Sequence, residues 1–189
     1  AIQAKSKELT IKPSLIKGAK AFHLREESKT NPQKTGFEMR LRQNLDIYEY
    51  IFLSFGEIDC RENEGILLYC QKTGSAIKDI ARTTATKYFK WTTKSLSRHK
   101  EKLVYFGTPA PFRTDQNCDK ASERNKQRLL TIRTFNTILA EQCQESSILF
   151  ADVYKLTAAD DGYNNNEWMI DQIHLKPSAL NQLIKGISL

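Results

Sequence analysis

Three short apolar segments constrain the fold of this chain more than any other feature of its sequence. They cover residues 48–55, 103–106 and 148–153, and they are rich in aromatic and β-branched side chains. Near-continuous apolar runs of this length are typical of strands buried on both faces of a parallel sheet. The stretches between them are long enough for crossover helices, so the order of the segments predicts right-handed βαβ units.

Helical patterns occupy the stretches between and after these strands. The clearest lies in residues 124–143, where five apolar residues share one face: Leu129, Ile132, Phe135, Ile138 and Leu139. Residues 75–96 have a weaker helical pattern, and Pro177 begins a short closing helix that extends to Ile187. These elements predict an α/β fold, a three-layer α/β/α sandwich around a doubly wound parallel sheet.

The composition indicates one globular domain over residues 1–189. Of the 189 residues, 40% are hydrophobic and 27% are charged, which is ordinary for a globular protein. Residues 28–36 and 107–119 have the composition of loops. No apolar run approaches the roughly 20 residues that span a bilayer, and the N-terminal residues contain no hydrophobic signal core. We therefore expect no membrane span.

The four cysteines and three histidines show none of the spacings of a metal site. The cysteines are widely scattered, and we expect reduced, mostly buried thiols in a cytoplasmic or cytosol-facing domain: Cys60, Cys70, Cys118 and Cys143. No GxGxxG or GxxxxGK[ST] motif is present, so nucleotide binding is disfavoured. The sequence predicts no metal and no cofactor.

Residues 87–102 carry much of the net charge of +7, with six Lys or Arg residues against one Glu. Because Tyr88, Phe89 and Trp91 lie among these charges, the segment has the pattern of a surface for nucleic acid or anionic glycan. The alternative is a solvated helix end whose aromatic side chains point into the core. Charge runs alone are weak evidence for a partner, so the alternative is favoured and nucleic-acid binding is disfavoured.

The segment from Asp171 to Pro177, DQIHLKP, contains a carboxylate three residues before a histidine. An aspartate at this distance can accept a hydrogen bond from one imidazole nitrogen and leave the other nitrogen of His174 free as a general base. In isolation, the same pair is also compatible with a local hydrogen bond that caps the last helix.

A second group of polar residues follows the first predicted strand. The sequence from Gly56 to Arg61, GEIDCR, places Asp59 and Arg61 at the carboxyl edge of the sheet, where ligands of such sheets bind. Gly56 permits a tight turn. Asp59 and Arg61 are expected either to pair with each other or to hold an anionic or hydroxylated substrate.

Four segments, in this order, resemble the sequence blocks of the SGNH/GDSL hydrolase superfamily: FGEIDCR at 55–61, GTPAP at 107–111, ILFADVY at 148–154 and DQIHLKP at 171–177. The likeness is to a branch whose third block has the form GE(I/V)DC, and it covers most of the chain. The resemblance implies a flavodoxin-like parallel sheet. It also implies hydrolysis of an ester, namely an acyl or O-acetyl group on a small molecule, carbohydrate or lipid.

The resemblance further implies roles for individual residues. In this superfamily a serine of a Gly-Asp-Ser block attacks the carbonyl, and a closing Asp and His complete the triad. By position, His174 is the base, Asp171 its orienter, and Gly18 the second-block glycine whose amide donates to the oxyanion. The third block places Gly56, Asp59 and Arg61 on the oxyanion and substrate-binding side.

The chain departs from the superfamily pattern at the nucleophile. It contains no Gly-Asp-Ser sequence, Ser14 lies too close to Gly18 to be the first-block serine, and Ser6 lacks a preceding strand. Ile58 occupies the third-block position that an asparagine usually holds. Loss of one such oxyanion donor typically lowers turnover by about 10²–10³-fold.

Two interpretations fit these departures. In the first, residues 1–189 are an N-terminally incomplete hydrolase domain that lacks the first strand and its serine. We then expect a strand to be missing beside residues 48–55. In the second, the domain is a degenerate, non-catalytic module that binds anionic glycan or nucleic acid through residues 87–102. The absent initiator Met and first strand favour the first interpretation. On either interpretation, the chain alone should hydrolyse esters poorly.

Overall fold

A computed structural model describes residues 10–28, 31–114 and 119–187. Within these residues the sheet has three parallel strands in the order β1 (Ile51–Leu53), β2 (Leu103–Phe106) and β3 (Leu149–Ala151). Ile51 is in register with Leu103, and Val104 with Leu149. The three predicted strands and their parallel arrangement are therefore confirmed, although each strand is shorter than or equal to its apolar segment.

Six α-helices are described: α1 (Pro32–Leu41), α2 (Gly65–Thr73), α3 (Ile77–Ser95), α4 (Asp119–Glu145), α5 (Val153–Thr157) and α6 (Pro177–Gly186). The helices predicted over residues 75–96 and 124–143 and the closing helix at Pro177 are confirmed as α3, α4 and α6. The sequence patterns did not predict α2 and α5, because both are short.

The prediction of a loop over residues 28–36 is wrong from Pro32 onward. Helix α1 begins at Pro32, directly after Asn31, whose side-chain oxygen accepts a hydrogen bond of 2.8 Å from the Lys34 amide. A proline at the first helical position sacrifices no hydrogen bond, and an asparagine before it supplies a cap. The Asn-Pro pair therefore marks a helix start here. In the second predicted loop, residues 107–114 have no regular structure, and α4 begins at Asp119.

Apolar side chains cover both faces of the sheet, because successive residues of a strand point to opposite faces. On one face Leu103 and Tyr105 pack in a core cluster with residues of α2, α3 and α4. On the other face Val104 and Phe106 pack with residues of β3, α5 and α6, including Leu183. The sheet thus lies between two helical layers, which confirms the three-layer α/β/α sandwich.

The aromatic residues of the basic segment 87–102 belong to the core. Tyr88, Phe89 and Trp91 are buried on α3, and the Tyr88 ring meets the Tyr105 ring edge-on at 5.6 Å between centroids. On the outer side, Lys87 Nζ lies 2.6 Å from Glu27 Oε1. The segment is therefore a solvated helix face with a buried aromatic side, and these three rings are not available for stacking on a base or a sugar.

The described cysteines Cys60, Cys70 and Cys143 are buried and have free thiols, as predicted, while Cys118 lies outside the described residues. Burial raises the pKa of Cys143 to about 12, so this thiol stays protonated. No helix in the described part of the chain is long and apolar enough to cross a membrane. Residues 10–28, 31–114 and 119–187 also contain no cluster of three or more metal-ligating side chains.

Candidate active site

Asp171 and His174 lie in a tight turn before α6. The turn is closed by backbone hydrogen bonds, including one of 2.7 Å from the Ile170 amide to the His174 carbonyl oxygen. Asp171 Oδ1 accepts hydrogen bonds of 2.7 Å from the amides of Ile173 and His174, and Asp171 Oδ2 lies 2.7 Å from His174 Nδ1. The hydrogen bond with the His174 side chain is the largest contribution that lowers the pKa of Asp171 to about 2. Asp171 is therefore ionised at neutral pH.

This geometry fixes the tautomer of His174. With Nδ1–H donating to Asp171, Nε2 carries the lone pair, and Nε2 has no partner among the described residues. The imidazole is 70% exposed, so the nitrogen is accessible. The alternative that the pair caps the last helix is not what the structure shows, because Lys176 is the N-cap of α6 and no side chain caps it.

A groove of about 1080 Å³ runs from the outer edge of β1 to His174. Four of the predicted site residues line it and are brought together by the fold: Gly18, Gly56, Arg61 and His174. All of β1 lines the groove as well, and within the described residues β1 pairs only with β2. The outer edge of β1 therefore has no partner strand within residues 10–28, 31–114 and 119–187, and it faces the groove.

Exposed apolar side chains accompany this open edge. Four of them line the groove: Ile11, Leu15, Ile47 and Ile173. Single exposed apolar residues are ordinary on a protein surface, whereas these four line the same groove as β1. The strand that we expected to be missing beside residues 48–55 would lie at this edge.

Two of the glycines that line the groove, Gly18 and Gly56, have backbone conformations that favour glycine. Gly18 has φ +66° in a turn closed by the Ala19 amide and the Ile16 carbonyl, 3.2 Å apart. The Gly18 amide itself donates to no acceptor among the described residues. Gly56 has φ +114°, and a Cβ there would lie 2.5 Å from the Phe135 ring. The backbone conformation therefore favours glycine at both positions, and at Gly56 the Phe135 ring also leaves no space for a Cβ.

Asp59 does not line the groove. Its side chain is fully buried, and its two carboxylate oxygens accept hydrogen bonds from the Ala21 amide at 2.7 Å and from the Phe22 amide at 3.0 Å. Burial raises the pKa of Asp59 to about 6, and the two amide hydrogen bonds offset only part of this effect. Asp59 is thus a buried carboxylate that binds backbone and does not reach a ligand in the groove.

Arg61 pairs with Glu57, so the predicted pair between Asp59 and Arg61 is wrong. The guanidinium donates to both Glu57 carboxylate oxygens, at distances from 2.7 to 3.0 Å, and lies 3.7 Å from Glu64. This pairing raises the pKa of Arg61. The turn over Ile58–Cys60 brings residues 57 and 61 together. Glu57 also lines the groove and was not predicted as a site residue, although opposite charges four residues apart were a usable signal.

No protein-family model and no curated protein matches the chain. Among solved structures, it is similar to a proposed acylhydrolase from Bacteroides fragilis, with a TM-score of 0.50, 16% identity, and coverage of 82% of this chain and 66% of that chain. It is also similar to a GDSL-like lipase from Bacteroides thetaiotaomicron, with a TM-score of 0.49, 13% identity, and coverage of 82% and 67%. An acetyl xylan esterase gives a TM-score of 0.46 at 14% identity, with coverage of 92% and 77%.

At this level of identity, the likeness to the acylhydrolase shows the fold alone. The chain shares the fold of this acylhydrolase, in agreement with the α/β fold that the sequence predicted. It spans about two thirds of the length of the two Bacteroides proteins.

The packing of Gly56 gives the first prediction. We expect Gly56→Ala to lower the free energy of unfolding by about 2–5 kcal/mol, because the new Cβ meets the Phe135 ring and the backbone has a positive φ. Gly74→Ala is the control, since Gly74 has φ +70° but no atom within 4 Å of the added Cβ. It should lower the free energy by only about 1–2 kcal/mol in urea unfolding. Equal losses for the two variants would contradict the steric role of Phe135.

The buried carboxylate gives the second prediction. Because folding raises the pKa of Asp59 from 3.8 to about 6, the folded state binds its proton more tightly, and this group should stabilise the protein by about 3 kcal/mol more at pH 3.8 and below than above pH 6. The stabilisation is lost as the pH rises through about 6. Urea unfolding of the wild type and Asp59→Asn from pH 4 to 8 measures it as the difference between the two curves. A difference that does not vary with pH would contradict the raised pKa.

Proposed function

We propose that the chain is the catalytic domain of an SGNH-type ester hydrolase, in which Asp171 and His174 assist a serine nucleophile. The observation that carries this proposal is the 2.7 Å contact between Asp171 Oδ2 and His174 Nδ1 at the end of a groove that Gly18 and Gly56 also line. The fold, which the chain shares with a solved acylhydrolase, supports it, as does the resemblance of the sequence blocks to SGNH/GDSL hydrolases.

The residues fit the steps of acyl transfer. His174 Nε2 accepts the proton of the serine hydroxyl as the oxygen attacks the ester carbonyl, and Asp171 stabilises the imidazolium that forms. The Gly18 amide donates to the developing oxyanion. When the intermediate collapses, the alcohol leaves with the proton from His174. Water then repeats the sequence on the acyl-enzyme and releases the acid.

The nucleophile is proposed to come from a segment that completes the domain. The Ser14 hydroxyl accepts a hydrogen bond of 3.0 Å from Arg40 Nε, and no described serine follows a Gly-Asp pair. An extended segment along the open edge of β1 would run beside the groove, and in a parallel sheet its carboxyl end would lie near Gly56 and His174. On this proposal residues 1–189 are an incomplete domain with little activity of their own.

We propose an acyl or O-acetyl ester of a small molecule or carbohydrate as the substrate. The groove is open along its length, and Arg61 with Glu57 offers polar groups that suit hydroxylated substrates. Ile58 supplies no oxyanion donor, so the amide of Gly18 carries more of that role.

The buried free thiols support a cytoplasmic location as a further part of this proposal.

The alternative of a non-catalytic module has less support. Its surface over residues 87–102 offers charges only, because the aromatic rings of this segment are buried. Electrostatic binding of this kind should weaken steeply with salt and with neutralisation of Lys90, Lys94 and Arg98. Ester hydrolysis by the complete domain should be indifferent to those three changes.

The third prediction concerns the contribution of Asp171 and His174 to ester hydrolysis. In a chain extended by the proposed serine-bearing segment, we expect hydrolysis of p-nitrophenyl acetate, and we expect His174→Ala and Asp171→Asn each to lower kcat by about 10⁴-fold. The 189-residue chain alone should stay near the uncatalysed rate.

His99→Ala is the matched control, because His99 Nδ1 also lies near an aspartate, 3.5 Å from Asp46 Oδ1, but lines no part of the groove with His174. It should leave kcat unchanged. Hydrolysis that survives His174→Ala at the wild-type rate would refute the catalytic assignment.

A further inference from the structure

Asp59 links the loop that contains Gly18 to the turn that contains Gly56. Its carboxylate binds the amides of Ala21 and Phe22, three and four residues after Gly18, and Asp59 itself follows Gly56 by three residues. The hydrogen bonds therefore span 38 and 37 positions of sequence and hold the second-block loop against the third-block turn. Among the described residues, no other side chain hydrogen-bonds to either amide.

Among the described residues, no cation forms an ion pair with the Asp59 carboxylate. Lys20 belongs to the same loop, but its Nζ lies 2.8 Å from Glu64 Oε2. The Arg25 guanidinium lies 3.7 Å from the centre of the Phe22 ring. Four of the described titratable groups interact electrostatically with Asp59: Lys20, Arg25, Cys60 and Tyr88. A buried anion held only by backbone amides is costly to stability, because burial favours the neutral acid.

Its two acceptor oxygens make the carboxylate hard to replace. Both amides donate at once, to separate oxygens, and the backbone turn over Ala21–His23 begins at these two N–H groups. An asparagine offers one oxygen and one NH₂ group, so it satisfies one amide and confronts the other with a donor. A carboxylate is the one side chain of this size with two acceptors and no donor.

We propose that Asp59 is a positioning residue of the site: its carboxylate fixes the loop from Gly18 to Phe22 against the Gly56 turn, and thereby holds the Gly18 amide where the oxyanion forms. This inference rests on the proposed function for the role of Gly18, whereas the link between the loops stands on the hydrogen bonds alone. Asp59 acts through Gly18 and does not touch the substrate.

The first experiment needs no activity. Amide hydrogen exchange of the 189-residue chain at pH 7, followed by NMR, should show at least tenfold less protection of Ala21 and Phe22 in Asp59→Asn, with no change at Val104–Phe106. Asp152→Asn is the control, since Asp152 is an exposed cap that accepts from the Lys155 amide, 2.9 Å away. Unchanged protection of Ala21 and Phe22 would overturn the inference.

The wild type provides a second measurement that does not depend on a folded variant. After correction for intrinsic exchange, protection of Ala21 and Phe22 should change with pH around 6, because protonation of Asp59 removes the charge from its two acceptors. Protection of Ala21 and Phe22 at pH 7 that is no greater than that of exposed loop amides would overturn the link between the loops.

The last experiment concerns catalysis. In the complete chain at pH 8, Asp59→Asn should lower kcat per folded molecule by about 10- to 100-fold and leave KM within about threefold, since an oxyanion donor acts in the transition state. A wild-type kcat in this variant would overturn the positioning role. If the exchange results hold but the wild-type complete chain hydrolyses no ester, the proposed function fails and the loop link remains.

Discussion

The burial of β2 on both faces is the constraint from which the rest of the architecture follows. All four residues of β2 are buried, with Leu103 and Tyr105 on the side of α3 and α4 and Val104 and Phe106 on the side of α6. Such a strand needs a neighbour on each edge and helices on both faces, because neither its backbone nor its side chains reach water. Parallel strands then end at one edge of the sheet, and the candidate site lies there.

The same constraint explains which elements were predictable. A strand buried on both faces reads as a continuous apolar run, and α3 and α4 have long enough patterns for their buried faces to recur several times. Helix α2 spans only Gly65–Thr73, so its pattern repeats too few times to be distinct. Helix α1 was hidden by its own N-terminus, because the Asn31–Pro32 pair is as typical of a turn as of a helix start.

In the site, local contacts were predictable and distant ones were not. Asp171 and His174 are three residues apart, so their spacing alone limits how they can meet. The partners of Asp59 are backbone amides more than 35 positions away, and nothing in the sequence marks an amide as free. Because Asp59 lies two positions before Arg61, the sequence suggested an ion pair between them. The turn over Ile58–Cys60 instead buries the Asp59 side chain and leaves Glu57 beside the Arg61 guanidinium.

Among the described residues the outer edge of β1 has no partner strand, and on the proposed function the segment that carries the serine would bind along this edge. An occupant of the groove has to satisfy two demands, namely hydrogen bonds to the β1 backbone and contact with the apolar side chains of Ile11, Leu15 and Ile47. A small ligand meets one of these demands, whereas an extended polypeptide segment meets both. His174 lines the same groove. A parallel strand bound along β1 would therefore bring the residue that follows this strand to the imidazole of His174. The contact that completes the sheet would then also place the nucleophile, so folding and catalysis would depend on the same strand.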